Sequence, residues 1–477
     1  MTSRTKSLAL AVALAMPLAA CATAEAGAPL ASAPVAPATA PAKAKKVILF
    51  IGDGMGISTI TAARIYAGQK LGQSGEEFVQ SYERFDNVAL VKTYNTDAQV
   101  PDSAGTASAM HTGKKTRIGM IGVGPEAPRN DCAASLQHRL PTLGEDAKRK
   151  GLAVGIVSTA RITHATPAAV YAHIPNRDWE ADASIPEDQR GLGCEDIAAQ
   201  LIGSGFDVAL GGGRAVFYGP DKRGVRLSAD ADLPAAWQAL SGGTFVEDGA
   251  AMAAAPVDKP LFGLFSNSHM TYMIDREADS SEPTLTQMTA EAIRRLERDP
   301  DGYYLMVESG RIDHGHHAGQ AGYALEEAIE FARAIQYAID NTDPNETLIL
   351  VTADHSHVFT MAGYPRRGND ILGLVHPPEG GGEDGGESDG GPMLAADGKP
   401  YTTLGYANGP GAVTGERPIP ETGSKARQQA AIPMRSETHG GEDVALFGTG
   451  PGAERVRGVI EQSVIYDIIV KALGWKD

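Results

Sequence analysis

The feature that most constrains the fold is an alternation of short apolar segments with amphipathic helical ones. The apolar segments are Val47–Ile51, Leu152–Val157, Val208–Leu210, Leu261–Phe265, Tyr303–Val307, Leu348–Val351 and Val444–Phe447. Residues 285–296 and 325–339, which lie between the later segments, repeat apolar residues on one helical face. Strands separated by helices are typical of a mostly parallel sheet with helices on both faces. The sequence therefore predicts a single large, doubly wound α/β domain.

Three of these predicted strands end in acidic residues or histidines. The side chains concerned are Asp53 after the first strand, Glu308, Asp313, His314 and His317 after the fifth, and Asp354 and His355 after the sixth. Open α/β sheets bind ligands beyond the carboxyl ends of their strands. Carboxylates together with imidazoles suit Zn²⁺, and an all-oxygen subset suits Mg²⁺. Each motif alone also fits a solvated face, but three such strand ends in one chain favour a metal cluster.

Two further segments are candidates for phosphate chemistry. Ser103 would lie at the N-terminus of a helix of small residues, where the dipole and free N–H groups favour an alkoxide or a phosphate. Alternatively, Asp102 or Ser103 serves only as an N-cap, the commoner role of these residue types. Arg177 follows the segment Thr163–Pro167, and its planar fork can hold two phosphate oxygens or make a surface ion pair.

The N-terminus has the pattern of an export signal. Arg4 and Lys6 precede an apolar run that ends at Ala20 and is shorter than the roughly 20 residues of a membrane span. We therefore expect residues 1–20 to be a signal peptide and the protein to reach the periplasm, the outer membrane or the cell surface. Residues 21–44 are rich in Ala and Pro, which is typical of an extended tether.

The three cysteines are also consistent with export. The sequence around Cys21 resembles a bacterial lipobox, in which Cys21 would be lipidated and would anchor the protein to a membrane, whereas ordinary cleavage nearby is the alternative. Export places Cys132 and Cys194 in an oxidising compartment. We expect these two to form a disulfide, with two buried free thiols as the alternative.

The net charge of the chain argues against one class of binding partner, nucleic acids. The chain has 42 Lys+Arg against 59 Asp+Glu, which gives a formal net charge of −17. Because a polyanion would be repelled, we expect no nucleic-acid binding.

Together the motifs resemble those of the alkaline phosphatase family, from Val47 to the C-terminus. The motifs that carry the resemblance are Gly52–Gly56, Asp102–Ala104, His164–Pro167, Glu308–His317, Thr352–His357 and Glu437–Val444. The Asp-His-Gly-His-His and His-Ala-Thr strings look closer to animal-type members, so the chain resembles a secreted bacterial member with animal-type motifs. The resemblance implies hydrolysis of phosphate monoesters and leaves open a homodimer.

The resemblance also implies a role for individual residues. Ser103 would be the nucleophile that is phosphorylated, and Arg177 would bind the phosphate, with His314 and His164 nearby on the substrate side. The implied metal ligands are Asp313, His317 and His439 for a first Zn²⁺, Asp53, Asp354 and His355 for a second, and Asp53, Thr166 and Glu308 for a Mg²⁺. The histidines left without a role are His111, His138, His173, His269, His316, His357 and His376.

The chain departs from the family pattern in two places. Gly263–Phe265 is followed by Ser266, where animal-type members carry an acid of a structural calcium site, which puts that site in doubt. The Gly- and acid-rich segment 379–391 and the segment 400–430 fall where the family builds its variable crown. We therefore expect a catalytic domain over 45–477, with a crown-like insertion at about 376–430.

Competing functions remain at this point. Within the same superfamily, a sulfatase needs a Cys/Ser-x-Pro-x-Arg motif that Ser103–Ala107 lacks. Phosphodiesterases usually use Thr and lack a counterpart of Arg177. A function of a different class is a non-catalytic surface lipoprotein that binds zinc or phosphate. The presence of Ser103 together with a full set of metal ligands argues against this function.

Overall fold

A mixed sheet of ten strands dominates the computed structural model, which describes residues 43–380 and 391–476. The strands are β1 (Lys46–Gly52), β2 (Asn87–Lys92), β3 (Ala153–Arg161), β4 (Val208–Gly212), β5 (Thr244–Val246), β6 (Leu261–Leu264), β7 (Tyr303–Ser309), β8 (Thr347–Ala353), β9 (Ser356–His357), β10 (Phe359–Met361), β11 (Leu404–Gly409), β12 (Ala430–Pro433), β13 (His439–Gly440), β14 (Val444–Thr449) and β15 (Gly458–Glu461). The helices are α1 (Ile57–Lys70), α2 (Ser103–Thr112), α3 (Cys132–Gln137), α4 (Leu143–Arg149), α5 (Ala165–Ala168), α6 (Ile197–Gly203), α7 (Leu233–Ser241), α8 (Gly249–Ala254), α9 (Leu285–Leu296), α10 (Arg311–His317), α11 (Ala321–Asn341) and α12 (Val464–Ala472).

The strand order across the large sheet is β15-β2-β14-β8-β1-β7-β3-β4-β6-β5. Only β14 runs antiparallel to its neighbours β2 and β8 among the described strands of this sheet. The prediction of a mostly parallel α/β sheet is therefore confirmed. The strands that the sequence analysis did not predict within this sheet are the short or partly exposed ones, β2, β5 and β15.

The three central strands are buried from end to end. Every residue of β7 and β8, and all of β1 except its first residue, is shielded from solvent. Since successive side chains point to opposite faces of a sheet, this burial requires cover on both faces. The amphipathic helices α9 and α11 pack against each other and against β7 and β1.

The register of the central strands determines where the candidate site lies. Gly52 at the end of β1 pairs with Ser309 on β7 and with Ala353 on β8. The segments that begin at Asp53 and Asp354 and the helix α10 therefore leave the sheet at one edge.

Two smaller sheets are present among the described residues. The strands β10, β11 and β12 form one, and β9 pairs antiparallel with β13 in the other. Part of the predicted insertion, residues 381–390, lies outside the described residues, as do the predicted signal peptide, most of the tether and Cys21. Among the described helices, none is long and apolar enough to cross a membrane.

The expected disulfide is present. Cys132 at the start of α3 is bonded to Cys194, and their Cα atoms lie 5.7 Å apart. The alternative of two free thiols is therefore wrong.

Removal of this bridge tests its contribution to stability. Cys132→Ser should lower the free energy of unfolding by about 2–5 kcal/mol, because the bridge closes a loop with a sequence separation of 62 residues in the unfolded chain. Denaturant unfolding of parent and variant measures the difference. An unchanged midpoint in the variant would contradict a stabilising role.

Candidate active site

Ser103 lies in the first turn of α2, and Asp102 is the N-cap of that helix. The Asp102 carboxylate accepts hydrogen bonds from the backbone N–H of Gly105 at 3.1 Å and of Gly119 at 3.0 Å. The capping role therefore falls to Asp102, which leaves the Ser103 hydroxyl for other contacts. Its Oγ lies 3.1 Å from His355 Nε2 and 3.5 Å from Asp53 Oδ1.

Arg177 reaches the same place through an ion pair with the capping residue. Its Nη1 lies 3.1 Å from Asp102 Oδ2, and its Nη2 lies 3.0 Å from His164 Nε2. Burial opposes ionisation of Asp102, but Arg177 and the N–H groups of Gly119 and Gly105 lower its pKa below the usual value. Asp102 thus fixes the guanidinium and the start of α2 relative to each other.

The first predicted ligand set comes together at the end of α10. Asp313 and His317 are four residues apart on that helix and therefore share a face. His317 Nε2 lies 3.3 Å from Asp313 Oδ1, and His439 Nε2 lies 3.4 Å from Asp313 Oδ1 and 3.2 Å from His317 Nε2. Ligand atoms about 2.0–2.2 Å from a tetrahedral Zn²⁺ lie about 3.3–3.6 Å apart. The spacing of this set fits such an ion.

The second predicted ligand set is completely buried. His355 Nε2 lies 3.4 Å from Asp53 Oδ1 and 3.3 Å from Asp354 Oδ2. Burial raises the pKa of Asp53 well above its usual range, and the neighbouring Asp354 and Asp313 raise it further. A cation at this position would offset both the burial and the repulsion between the carboxylates.

The ring tautomers of the three histidines in the first and second ligand sets suit metal binding. Nδ1 donates a hydrogen bond to a backbone carbonyl in each: His317 to Glu437, His439 to Pro101 and His355 to Ser356. A neutral ring that donates through Nδ1 keeps a lone pair on Nε2. Backbone partners of this kind orient metal-binding imidazoles in proteins. All three Nε2 atoms therefore point a lone pair into the site.

The third predicted set contains buried oxygens that are available to a cation. Asp53 Oδ2, Glu308 Oε1 and Thr166 Oγ1 are buried without a hydrogen-bond partner. Buried polar atoms are rarely left without a partner, and an ion is one explanation when they are. His164 also approaches Asp53 and Glu308. Because these oxygens converge, they fit a hard cation such as Mg²⁺.

His314 lies beside this third set rather than within a ligand set. Its ring centroid is 5.6 Å from that of His164, and its Nδ1 faces Arg311 Nη1 at 3.1 Å. The two histidines predicted to lie on the substrate side are thus neighbours, and one of them, His164, contacts Arg177.

Two residues of the site were missed by the sequence analysis, His357 and Glu437. His357 Nε2 lies 2.9 Å from Asp313 Oδ1, and its Nδ1 lies 2.6 Å from Glu437 Oε2. Although burial lowers the pKa of His357, its bonds to Asp313 and Glu437 raise it to about 9. A ring that donates from both nitrogens has no lone pair for a metal, and these two contacts suit His357 to position Asp313. The only signal for it was its place two residues after His355.

The sequence predicts no role for His316, and its contacts in the structure are those of a structural residue. Its Nε2 contacts Thr59 Oγ1 at 2.9 Å and its Nδ1 contacts Tyr406 Oη at 2.8 Å. His316 therefore ties α10 to α1 and to β11.

Known proteins are similar to this chain in both sequence and fold. The family model described as alkaline phosphatase matches residues 44–475. The tissue-nonspecific alkaline phosphatase of Gallus gallus is 44% identical over 446 residues, covering 88% of this chain and 82% of the relative. The human isozyme is 42% identical over 453 residues, covering 90% and 83%.

Solved structures agree on the fold. The alkaline phosphatase of the Antarctic bacterium TAB5 has a TM-score of 0.64 at 24% identity, covering 92% of this chain and 100% of that one. The Thermus thermophilus enzyme has a TM-score of 0.67 at 24% identity, covering 92% and 93%.

Fold, site and relatives define a metal-dependent phosphomonoesterase of the α/β class. The chain belongs to the alkaline phosphatase family, and its curated relatives at 41–44% identity are animal enzymes. The family match selects this activity over the sulfatase and phosphodiesterase alternatives.

Replacement of His357 tests its positioning role. His357→Ala should weaken metal affinity at the first ligand set by roughly 10- to 100-fold, because Asp313 loses the partner that orients it. Metal content after dialysis against a weak chelator measures the loss. His376→Ala, a histidine outside the three ligand sets, is the matched control, and equal metal retention in both variants would reject the role.

Proposed function

We propose that this enzyme hydrolyses phosphate monoesters through a phosphoserine at Ser103, with two Zn²⁺ and one Mg²⁺ held by the three ligand sets. The observation that carries the proposal is the position of Ser103 Oγ, 3.1 Å from a second-set ligand and 3.5 Å from Asp53 Oδ1. At the N-terminus of α2 and beside two metal-binding residues, the helix dipole and a bound cation would both favour the alkoxide form of this hydroxyl.

The chain's own residues then divide the work. Arg177 binds two oxygens of the phosphoryl group, while Asp102 holds the guanidinium in place. Ser103 Oγ bonds to phosphorus as the ester P–O bond breaks, and the proton lost from the hydroxyl ends on the departing alkoxide, which leaves as the alcohol. Water then attacks phosphorus, the P–Oγ bond breaks, one proton of the water restores the Ser103 hydroxyl, and inorganic phosphate leaves. Bound metal ions would lower the pKa of the attacking hydroxyl and water and neutralise charge on the phosphoryl oxygens.

We also propose that the enzyme is exported to the periplasm, the outer membrane or the cell surface. The N-terminal pattern supports export, and so does the disulfide, since such bonds persist in oxidising compartments. Lipidation of Cys21 would make the protein a membrane-anchored lipoprotein. Assembly into a homodimer belongs to the same proposal and is tested by sedimentation.

The nucleophile is tested on p-nitrophenyl phosphate. Ser103→Ala should lower kcat by a factor on the order of 10³ or more, with unchanged metal content, because the covalent route is lost. Ser108→Ala, a second buried serine of α2, is the matched control and should stay active. Chelation should abolish the parent's activity, and added metal should restore it.

Turnover near the parent's rate in Ser103→Ala would remove Ser103 from this role. An enzyme that loses no activity to a strong chelator would contradict the metal-dependent part of the proposal.

His164 sets the metal preference of the third set. Its ring lies beside Asp53 and Glu308, and a neutral imidazole adds no negative charge there. We expect weak retention of Mg²⁺, activation by added Mg²⁺, and partial occupancy by Zn²⁺ when zinc is in excess.

Substitution at this position tests the expectation. His164→Asp should tighten Mg²⁺ binding several-fold and reduce the stimulation by added Mg²⁺, because a carboxylate anchors the ion's hydration shell. His164→Asn is the control, because asparagine has nearly the size of aspartate but no charge, so a difference in Mg²⁺ affinity between the two variants reports the effect of the charge. A Mg²⁺ affinity in His164→Asp that is equal to or weaker than the parent's would refute this role for His164.

A further inference from the structure

A group of hydrogen-bond donors lies next to the catalytic residues but belongs to none of the ligand sets. We call Arg161, His269, Arg311 and His314 the donor patch. The rings of His269 and His314 are 4.1 Å apart between centroids, and both lie within 5.6 Å of the His164 ring. All four side chains are partly exposed to solvent. A ligand can therefore reach them.

Two donors of the patch face each other. The backbone N–H of Arg161 donates to His269 Nδ1 at 3.2 Å, so a neutral His269 ring carries its proton on Nε2. That Nε2 lies 2.5 Å from Arg161 Nη1, which is also an N–H group. The other guanidinium nitrogens of Arg161 are taken by the Glu180 carboxylate. An acceptor supplied from outside would satisfy both facing groups.

Arg311 is short of acceptors as well. Its guanidinium stacks 3.5 Å from the centre of the Tyr272 ring, and its Nη1 faces His314 Nδ1. Its Nε is buried without a hydrogen-bond partner. Among the described residues no carboxylate forms an ion pair with this guanidinium, and Glu327, Asp313 and Glu282 act on it only from a greater distance. An arginine so placed is suited to a ligand anion.

The patch is unsuited to a cation. Two guanidinium groups repel one, and the patch residues are absent from the groups of possible metal ligands found in the described chain. An anion with several acceptor oxygens fits both facing donors and Arg311.

We propose that the donor patch binds a second anionic group of the substrate while the first phosphate lies on Arg177. The inference rests on the proposed function of the Ser103 site and adds a substrate class to it, phosphate monoesters that carry a second phosphate on a short spacer. The two anion positions are separated by one side chain, because His164 Nε2 is 3.0 Å from Arg177 Nη2 and its ring is 5.4 Å from that of His269.

Binding of non-hydrolysable ligands tests the patch independently of turnover. Calorimetry on the metal-loaded enzyme compares Kd for propane-1,3-diyl bisphosphonate with Kd for propylphosphonate. The parent should prefer the bisphosphonate by roughly tenfold or more, as expected for charge-assisted hydrogen bonds. His269→Ala and Arg311→Met should each reduce this preference about tenfold and change Kd for propylphosphonate little.

Matched controls distinguish the possible failures. His138→Ala, a histidine at the end of α3, should keep the parent's preference, and Arg311→Lys should restore part of it. The two test residues lie on different segments, so misfolding of one variant leaves the other to decide. A parent without preference, or variants that retain it, would overturn the donor patch. If the parent preferred the bisphosphonate but did not hydrolyse p-nitrophenyl phosphate, the donor patch would stand and the proposed function would fail.

Discussion

The structure depends on carboxylates buried together at the ends of three neighbouring strands. Asp53, Glu308 and Asp354 are fully shielded from solvent, and burial raises the pKa of each. Isolated buried charges are strongly unfavourable unless they are paired or bind metals. The strands β1, β7 and β8 leave no room for the acids to separate, since their last residues are in register. Cation binding and folding stability are therefore linked in this protein.

The remaining residues of the site adjust to this constraint. Asp102 shows how one carboxylate can organise two functions, because it caps α2 at Ser103 and holds the guanidinium of Arg177. The short β9–β13 pairing brings His439 to α10 from the far end of the chain. His357 donates one hydrogen bond to Asp313 and another to Glu437. It thereby keeps the Asp313 carboxylate turned towards the ligand set.

The central sheet and a cluster of acids and histidines at its edge could be predicted from the sequence pattern for one physical reason, whereas the individual ligand sets came from the resemblance to the family. Buried parallel strands are continuous apolar runs, and an acid stands directly after β1 and β8 and next to the last residue of β7. By contrast, the apolar run Val88–Val91 of β2 was not predicted as a strand, and the structure shows that its Val88 and Leu90 are exposed. The antiparallel direction of β14 depends on its long-range pairing, which no local pattern encodes.

Residues whose role arises from tertiary contacts were the least predictable. His357 is recognisable only once Asp313 and Glu437 approach it from two other segments. His269 likewise gains meaning only beside Arg161 and His314, which lie more than 40 residues away on either side.

Anomalous diffraction at the zinc edge, from crystals grown with zinc, magnesium and phosphate, tests the central claim most directly. We expect one zinc peak among Asp313, His317 and His439 and a second among Asp53, Asp354 and His355, with phosphate between Arg177 and Ser103. A single zinc peak, or peaks ligated by His357 in place of His317, would contradict the account.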